Sequence, residues 1–273
     1  MTRDPDKIIE KVNRIEKNKE KIRLGGEKEK IEKQHNSGKL TARERVDLFF
    51  DPGTFIELDI FGKVLGKEFG IDKLDLPADG VVTGYGKVDG RLVAALSQDY
   101  TVIAGTMGEM HGRKILKITK LAGQMKIPLI GFNESGGARL QEFLEISRTY
   151  GEWFYYTSIF SGTIPQIAVM CGNVAGGQSY QPGLSDLIFM TKKSATFIAG
   201  PPIVETVTGE KTTPEELGGA IMHSSVSGVC HVLAENDIDV INKVKQLLSF
   251  LPSNYSEKPP IIKNGDDPYR TCE

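Results

Sequence analysis

Two glycine pairs stand out as positions where this sequence could do chemistry. One is Gly136-Gly137, within Ser135-Gly136-Gly137-Ala138-Arg139; the other is Gly176-Gly177, within Ala175-Gly176-Gly177-Gln178. Each follows an apolar stretch that reads as strand and precedes a stretch that reads as helix or helical turn. Where a strand has ended and a helix begins, backbone N–H groups lack partners. Glycine has no Cβ, so a ligand oxygen can approach those groups closely. Two N–H groups aimed at one oxygen form an oxyanion hole, each donor being worth roughly 2.7–4 kcal/mol of transition-state stabilisation. The plainer reading is that these are tight turns with helix-packing glycines, and spacing alone leaves both readings open.

Other chemistries find less support. The sequence has no GxxxxGK[ST] loop and no GxSxG elbow with a plausible triad. The four histidines, His35, His111, His223 and His231, form no HExxH and no i,i+4 pair. His223 and His231 flank a predicted strand and read as structural. Met125-Lys126-Ile127 is only faintly similar to a biotin-acceptor Met-Lys-Met and leads into Pro128 and an apolar run, so it reads as ordinary. Cys171, Cys230 and Cys272 lack CxxC spacing, which excludes a disulfide scaffold and a thiolate zinc finger within the chain. We infer no metal site. A site that offers N–H pairs but no evident side-chain base suits one chemistry. It would hold the enolate oxygen of a thioester while a second substrate takes the proton.

The elements that must position these glycines can be read from periodicity. Residues 1–39 are rich in Lys and Glu, and Ile8, Ile9, Val12, Ile15 and Ile22 fall at roughly helical spacing, which predicts a solvated helix with one apolar stripe. Thr41-Ala42-Arg43-Glu44 has capping-box form and starts a helix that Asp51-Pro52-Gly53 stops. Residues 55–60 alternate like a strand, residues 62–79 read as loop, and residues 80–88 and 91–97 read as a hairpin turning on Asp89-Gly90. Strand-helix alternation follows. Helices are predicted at 107–124, 142–161 and 238–251, with a short one opened by Thr213-Pro214; strands are predicted at 127–132, 167–170, 187–190 and 226–233. This implies an α/β domain over residues 40–252, with 253–273 as a tail or linker.

Composition bounds the function. The chain has 273 residues, 39% hydrophobic and 26% charged, which suits a packed domain rather than disorder. Lys plus Arg is 34 and Asp plus Glu is 36, a net charge of -2 that argues against a dedicated nucleic-acid binder. No apolar run approaches the ~18 residues of a membrane span. The first six residues are charged and lack the apolar core of a signal peptide. A cytoplasmic setting is expected.

Several further runs are collinear from about Leu40 to Pro252. They begin with the run from Leu40 through Thr41-Ala42-Arg43-Glu44 to Asp51-Pro52-Gly53-Thr54-Phe55, then Asp79-Gly80-Val81-Val82-Thr83-Gly84-Tyr85-Gly86 and Gln98-Asp99-Tyr100-Thr101. They continue through Ser135-Gly136-Gly137-Ala138-Arg139-Leu140-Gln141-Glu142, Ile164-Pro165-Gln166-Ile167 and Ala175-Gly176-Gly177. The last are Val207-Thr208-Gly209-Glu210, Glu216-Leu217-Gly218-Gly219-Ala220 and Val226-Ser227-Gly228-Val229. Together these runs resemble the carboxyltransferase (beta) subunits of acyl-CoA carboxylases, of the propionyl-CoA and methylmalonyl-CoA type, including the α-type chains of sodium-pump decarboxylases.

The resemblance implies a crotonase-like ββα spiral and an acyl-CoA-binding half-site. By it, Gly176 and Gly177 supply the oxyanion amides and Gly136 and Gly137 line the same pocket. Ala104, Gly105, Thr106, Met107 and Gly108 border the CoA pantetheine, and Arg113 and Lys114 are candidates for the CoA phosphates; the plainer reading of both cations is a solvated helix face. The cofactor implied is biotin on a separate carrier protein, delivering the carboxyl group. Implied partners are that carrier, a biotin carboxylase subunit and further copies of the chain in a trimer or hexamer.

Two departures matter. Family chains are roughly twice this length, and their second half supplies the biotin pocket and another oxyanion pair. The chain is thus expected to be a truncated piece, or a subunit whose C-terminal partner half is a separate polypeptide. Gly172-Asn173-Val174 also replaces the family's frequent Gly-Pro-Cys type run, and Gln178 follows the glycine pair, so the acyl group is left open. Two rival functions stand beside carboxyl transfer in either direction. A crotonase-type hydratase or isomerase would need a carboxylate near the pocket, Glu134 or Glu142 being nearest in sequence. A non-catalytic CoA-binding assembly module would use the broad apolar set Ile238, Val240, Ile241, Val244, Leu247, Leu248 and Leu251 in part as an interface.

Overall fold

The computed structural model describes residues 5–261, 265–267 and 269–271. Residues 1–4 of the charged N-terminal run and Cys272 lie outside the described residues.

Two helices open the chain, α1 (Pro5–Arg23) and α2 (Lys28–Asn36), where the charge pattern predicts one. The break falls at Gly25-Gly26. Gly25 takes a left-handed φ of +76°, and the Gly26 amide donates to Thr101 Oγ1 at 3.0 Å. These two glycines thus seat the joint on the domain. Ile8, Ile9, Val12 and Ile15 are exposed, so most of the predicted apolar stripe stays solvated.

Helix α3 (Ala42–Phe49) has the predicted capping box. Thr41 Oγ1 accepts from the Glu44 amide, and Glu44 Oε2 accepts from the Thr41 amide. Strands β1 (Ile56–Leu58), β2 (Val81–Val88) and β3 (Arg91–Gln98) follow. The β2–β3 hairpin turns on Asp89 and Gly90, both at positive φ, as a type I′ signal requires. The remaining elements are α4 (Glu109–Met125), β4 (Leu129–Ser135), α5 (Phe143–Phe160), β5 (Gln166–Ala175), α6 (Tyr180–Leu184), β6 (Leu187–Thr191), β7 (Ala195–Phe197), α7 (Pro201–Thr208), α8 (Pro214–Gly218), α9 (Ala220–Met222), β8 (Val232–Ala234) and α10 (Asp237–Phe250). The strand predicted over 226–233 is shorter in the structure. His223–Ser227 instead makes a wide helical turn, held by His223 Nδ1 to Ser227 Oγ at 2.7 Å and Nε2 to the Thr196 carbonyl at 3.0 Å.

Among the described residues eight strands form one sheet in the order β1-β2-β3-β4-β5-β6-β8, with β7 beside the far end of β5. The hairpin is antiparallel, and β3 through β8 run parallel. Side chains alternate across it. Ile130, Phe132, Ile167 and Val169 meet Val46 and Phe49 of α3 and Val240, Val244 and Leu248 of α10. Ala94, Leu96 and Leu129 meet Ile115 and Ile118 of α4 and Trp153 of α5. Helices therefore cover both faces. The carboxyl ends of β3, β4 and β5 lie side by side on one edge, where parallel sheets place their ligands. After α10, Asn254 Nδ2 donates to the Lys126 carbonyl at 2.9 Å and the Tyr255 amide to the Thr163 carbonyl at 3.1 Å.

Candidate acyl-thioester site at the carboxyl edge of the sheet

Three turns meet at this edge. Two of them are joined by backbone bonds. The Gly136 amide donates to the Ala104 carbonyl at 2.9 Å, the Met107 amide to the Gly137 carbonyl at 2.9 Å, and the Arg139 amide to the Met107 carbonyl at 2.9 Å. Ser135 Oγ donates to the Gly105 carbonyl at 2.7 Å and accepts from the Gly137 amide at 3.1 Å. A side chain at Gly105 would overlap the Glu134 carbonyl, and one at Gly108 would overlap Arg139 and Glu142. The segment 104–108 therefore does lie against the first glycine pair.

The third turn holds the second pair. Gly137, at φ +105°, lies with its α-carbon close to the Ala175 carbonyl, so the two pairs are neighbours. Their amides differ. Those of Gly136 and Gly137 are both occupied, which corrects the expectation that both pairs present free N–H groups. Gly176 and Gly177 open the helical turn Gly176–Ser179, where the first N–H groups have no acceptor within the turn. Outside the regular helix and strand ladders, neither donates to another group among the described residues. Gly176 has φ +62° and open space where a Cβ would stand, while Gly177 faces the ring of Tyr150.

Beneath this turn is a layer of buried amides. Gln98 and Gln178 are both fully buried, and Gln98 Nε2 donates to Gln178 Oε1 at 2.8 Å. Gln98 Oε1 accepts from the Glu134 amide at 3.1 Å. His111 Nε2 is 3.5 Å from Gln98 Nε2, and His111 Nδ1 donates to the Asp79 carbonyl at 2.9 Å. Burial, reinforced by the nearby Arg139 charge, holds the imidazole well below its usual pKa, so it is neutral. Burial also raises the Tyr150 phenol, with Gln178 pulling weakly the other way, and the phenol stays protonated. In the sequence Gln178 is marked only by its place after the glycine pair. Gln98 carries no signal of its own within its run, and Tyr150 is one aromatic of several on α5.

The carboxylates that a hydratase would need are committed elsewhere. Glu134 points to the α3/α10 side, where Oε2 accepts from Arg45 Nη2 at 2.6 Å and Gln34 Nε2 at 2.7 Å, and Oε1 from Lys39 Nζ at 3.0 Å. Glu142 Oε2 accepts from Arg139 Nη1 at 2.8 Å and its Oε1 from the Gly66 amide at 3.1 Å. Both are fully buried. The two candidate phosphate ligands also separate. Arg113 is exposed and paired with Glu109. Lys114 is buried, and its Nζ donates to the Ala78 carbonyl at 2.8 Å. It offers no charge at the surface, which corrects its place among the CoA ligands. Burial pushes it down to about 8.

A cleft of about 560 Å³ lies away from this edge, between the opening helices and α3. Its Arg43 is bound through two nitrogens to Glu57, at 2.9 and 3.0 Å, so it presents no free cation. Among the described residues there is no group of three His, Cys, Asp or Glu placed to hold a metal ion, and no helix long and apolar enough to cross a membrane.

The family described as "Carboxyl transferase domain" matches residues 33–273. Among curated proteins the chain is 49% identical over 267 residues to methylmalonyl-CoA decarboxylase subunit alpha of Veillonella parvula, covering 97% of this chain and 52% of that one. It is 45% identical over 260 residues to the propionyl-CoA carboxylase beta chain of Roseobacter denitrificans, covering 95% and 51%. Among solved structures it superposes with a TM-score of 0.92 on transcarboxylase 12S with methylmalonyl-coenzyme A and methylmalonic acid bound. That match is 44% identical and covers 94% of this chain and 50% of the other. The chain thus spans about half the length of the proteins it matches.

Proposed function

The chain belongs to the carboxyl transferase domain family, and we propose that it forms the acyl-CoA half-site of a biotin-dependent carboxyltransferase. Its fold is the crotonase-like α/β arrangement expected from the sequence. The observation that carries the proposal is the pair of amides at Gly176 and Gly177, which open a helical turn and lack an acceptor within it, set beside segments 104–108 and 135–139 at the carboxyl edge of the sheet.

These residues fit a thioester. The two N–H groups hold the carbonyl oxygen and bind it more tightly as negative charge develops on enolisation. Segments 104–108 and 135–139 border the pantetheine and fix the acyl group's approach. Gly136 and Gly137 act as walls, their amides being spent on Ala104 and Ser135. Arg113 remains the surface candidate for a CoA phosphate. Biotin, on a separate carrier protein, supplies the carboxyl group and accepts the α-proton. The part of the relatives that this chain does not match would complete the biotin side, in a hexameric assembly served by a biotin carboxylase subunit.

The same site runs in reverse, and the high identity to a methylmalonyl-CoA decarboxylase subunit favours decarboxylation as the second reading. Hydration of an enoyl-CoA is disfavoured because Glu134 and Glu142 are buried in ion pairs. Calorimetric titration with CoA, acetyl-CoA, propionyl-CoA and methylmalonyl-CoA tests the proposal. Saturable binding that ranks the esters above free CoA is expected, and failure of every ester to bind would overturn it.

A further inference from the structure

We propose that Gln178, anchored by Gln98, is a positioning residue that aims the Gly176 and Gly177 amides at the thioester carbonyl. This rests on the oxyanion reading of that pair.

The glycines themselves supply little restraint. Gly176 sits at φ +62° with nothing within 4 Å of its missing Cβ, and Gly177 follows without a side chain. Two successive glycines give the backbone wide freedom, whereas two N–H groups converging on one oxygen need a fixed direction. Gln178 is the first side chain after them. It is fully buried although both glycines are partly exposed, so the turn is pinned from below at this residue.

The anchor has a defined orientation. Gln98 Oε1 accepts from the Glu134 amide at 3.1 Å, which forces its Nε2 towards Gln178 Oε1 at 2.8 Å. His111 Nδ1 donates to the Asp79 carbonyl, leaving Nε2 as an acceptor facing the same Gln98 nitrogen. Gln98 therefore cannot flip without setting donor against donor. One side chain thus ties the ends of β3 and β4 to the turn after β5. From the other side Ser179 Oγ donates to the Gly176 carbonyl at 2.7 Å. Gln178 Nε2 makes no well-formed hydrogen bond among the described residues. That nitrogen end faces the Tyr150 phenol, so the oxygen is the end that Gln98 holds.

The test reads the carbonyl directly. Propionyl-CoA, isotopically labelled at the thioester carbonyl, is bound to the full chain, and its C=O stretch is recorded by infrared difference spectroscopy. In the unsubstituted protein the stretch moves to lower frequency. Gln178→Met, which keeps the volume and removes the acceptor, should bind free CoA unchanged and lose that shift. Gln178→Glu, which keeps an oxygen facing Gln98, should recover much of it. Gln98→Met should reproduce the loss, and the double variant should lose no more than either alone. An undiminished shift in a folded Gln178→Met or Gln98→Met protein would overturn the positioning role alone. Absence of a shift in the unsubstituted protein would instead overturn the oxyanion reading beneath it. Should Gln178→Met fail to fold, Gln98→Met carries the decision.

Discussion

The ring of Tyr150 lies where Gly177 would carry a side chain: a Cβ on the glycine would stand 3.0 Å from Cε1 and 3.1 Å from Cζ. Tyr150 cannot easily yield, because it packs against Trp153 and Phe154 at centroid separations of 6.5 and 5.6 Å. Gly177→Ala should therefore displace the turn rather than the ring. In the assembled enzyme it should lower kcat about 10²–10³-fold, the effect of losing one oxyanion donor, with affinity for free CoA unchanged. A bulkier residue should abolish turnover. An unchanged kcat in Gly177→Ala would remove this amide from the reaction.

Gly176 is sensitive for a different reason. Space is open around it, but its φ of +62° is left-handed. An L-residue there costs about 1–2 kcal/mol unless its side chain tolerates that region, as Asn does. Destabilisation should run Val above Ala above Asn, measured as shifts in the urea midpoint. A ranking by side-chain volume alone, with Asn worse than Ala, would contradict the conformational cause.

Much of this architecture is legible in the sequence because it rests on local signals. The Thr41/Glu44 capping box, the helix start at Thr213-Pro214 and the Asp89-Gly90 turn are each decided within four residues. The glycine pairs are visible by the same logic. Periodicity does not supply the occupancy of their amides. Gly136 is bonded to Ala104, far away in sequence, and nothing near Gly136 announces that partner. Lys114 departs from expectation for a related reason. Its helix presents cations at Arg113 and Lys114, but a one-residue step turns one outward and the other into the interior against Ala78. In the 226–233 region the β-branched residues suit a strand, while Gly228 at φ +73° and the His223 bonds hold a turn.

Glu134 is a structural anion by geometry. Arg45, fully buried, reaches it at 2.6 Å and reaches Asp237 at 2.8 Å through Nε. Glu134→Ala would leave Arg45 with one counter-charge and would take away the carboxylate that Lys39 pairs with. Removing one partner of a buried pair costs about 3–5 kcal/mol. A loss of that size is expected in urea unfolding. The folded fraction should still bind propionyl-CoA with unchanged affinity, and the unsubstituted chain should not hydrate crotonyl-CoA. Crotonyl-CoA hydration that disappears in Glu134→Ala would return this residue to the active site.

His111 should make the fold acid-sensitive in a defined window. Its pKa is lowered from 6.5 by burial and then by Arg139, with Lys114 acting in the same direction and the Asp79 carbonyl bond opposing. The unfolded chain binds a proton near pH 6.5 that the folded chain refuses until lower pH. Unfolded molecules thus hold more protons in that interval, and stability falls as pH drops below about 6.5, by up to about 1.4 kcal/mol per pH unit. Lys114 stays charged across that interval, since it titrates only near about 8. Asp79, raised by burial against the pull of Arg139, takes up a proton in the folded state and opposes the loss at the acid end. Comparing urea unfolding at about pH 7.5 and 5.5 should show a larger loss in the unsubstituted chain than in His111→Gln. Equal losses in the two proteins would place the acid sensitivity elsewhere and leave the imidazole as a neutral packing group beneath Gln98.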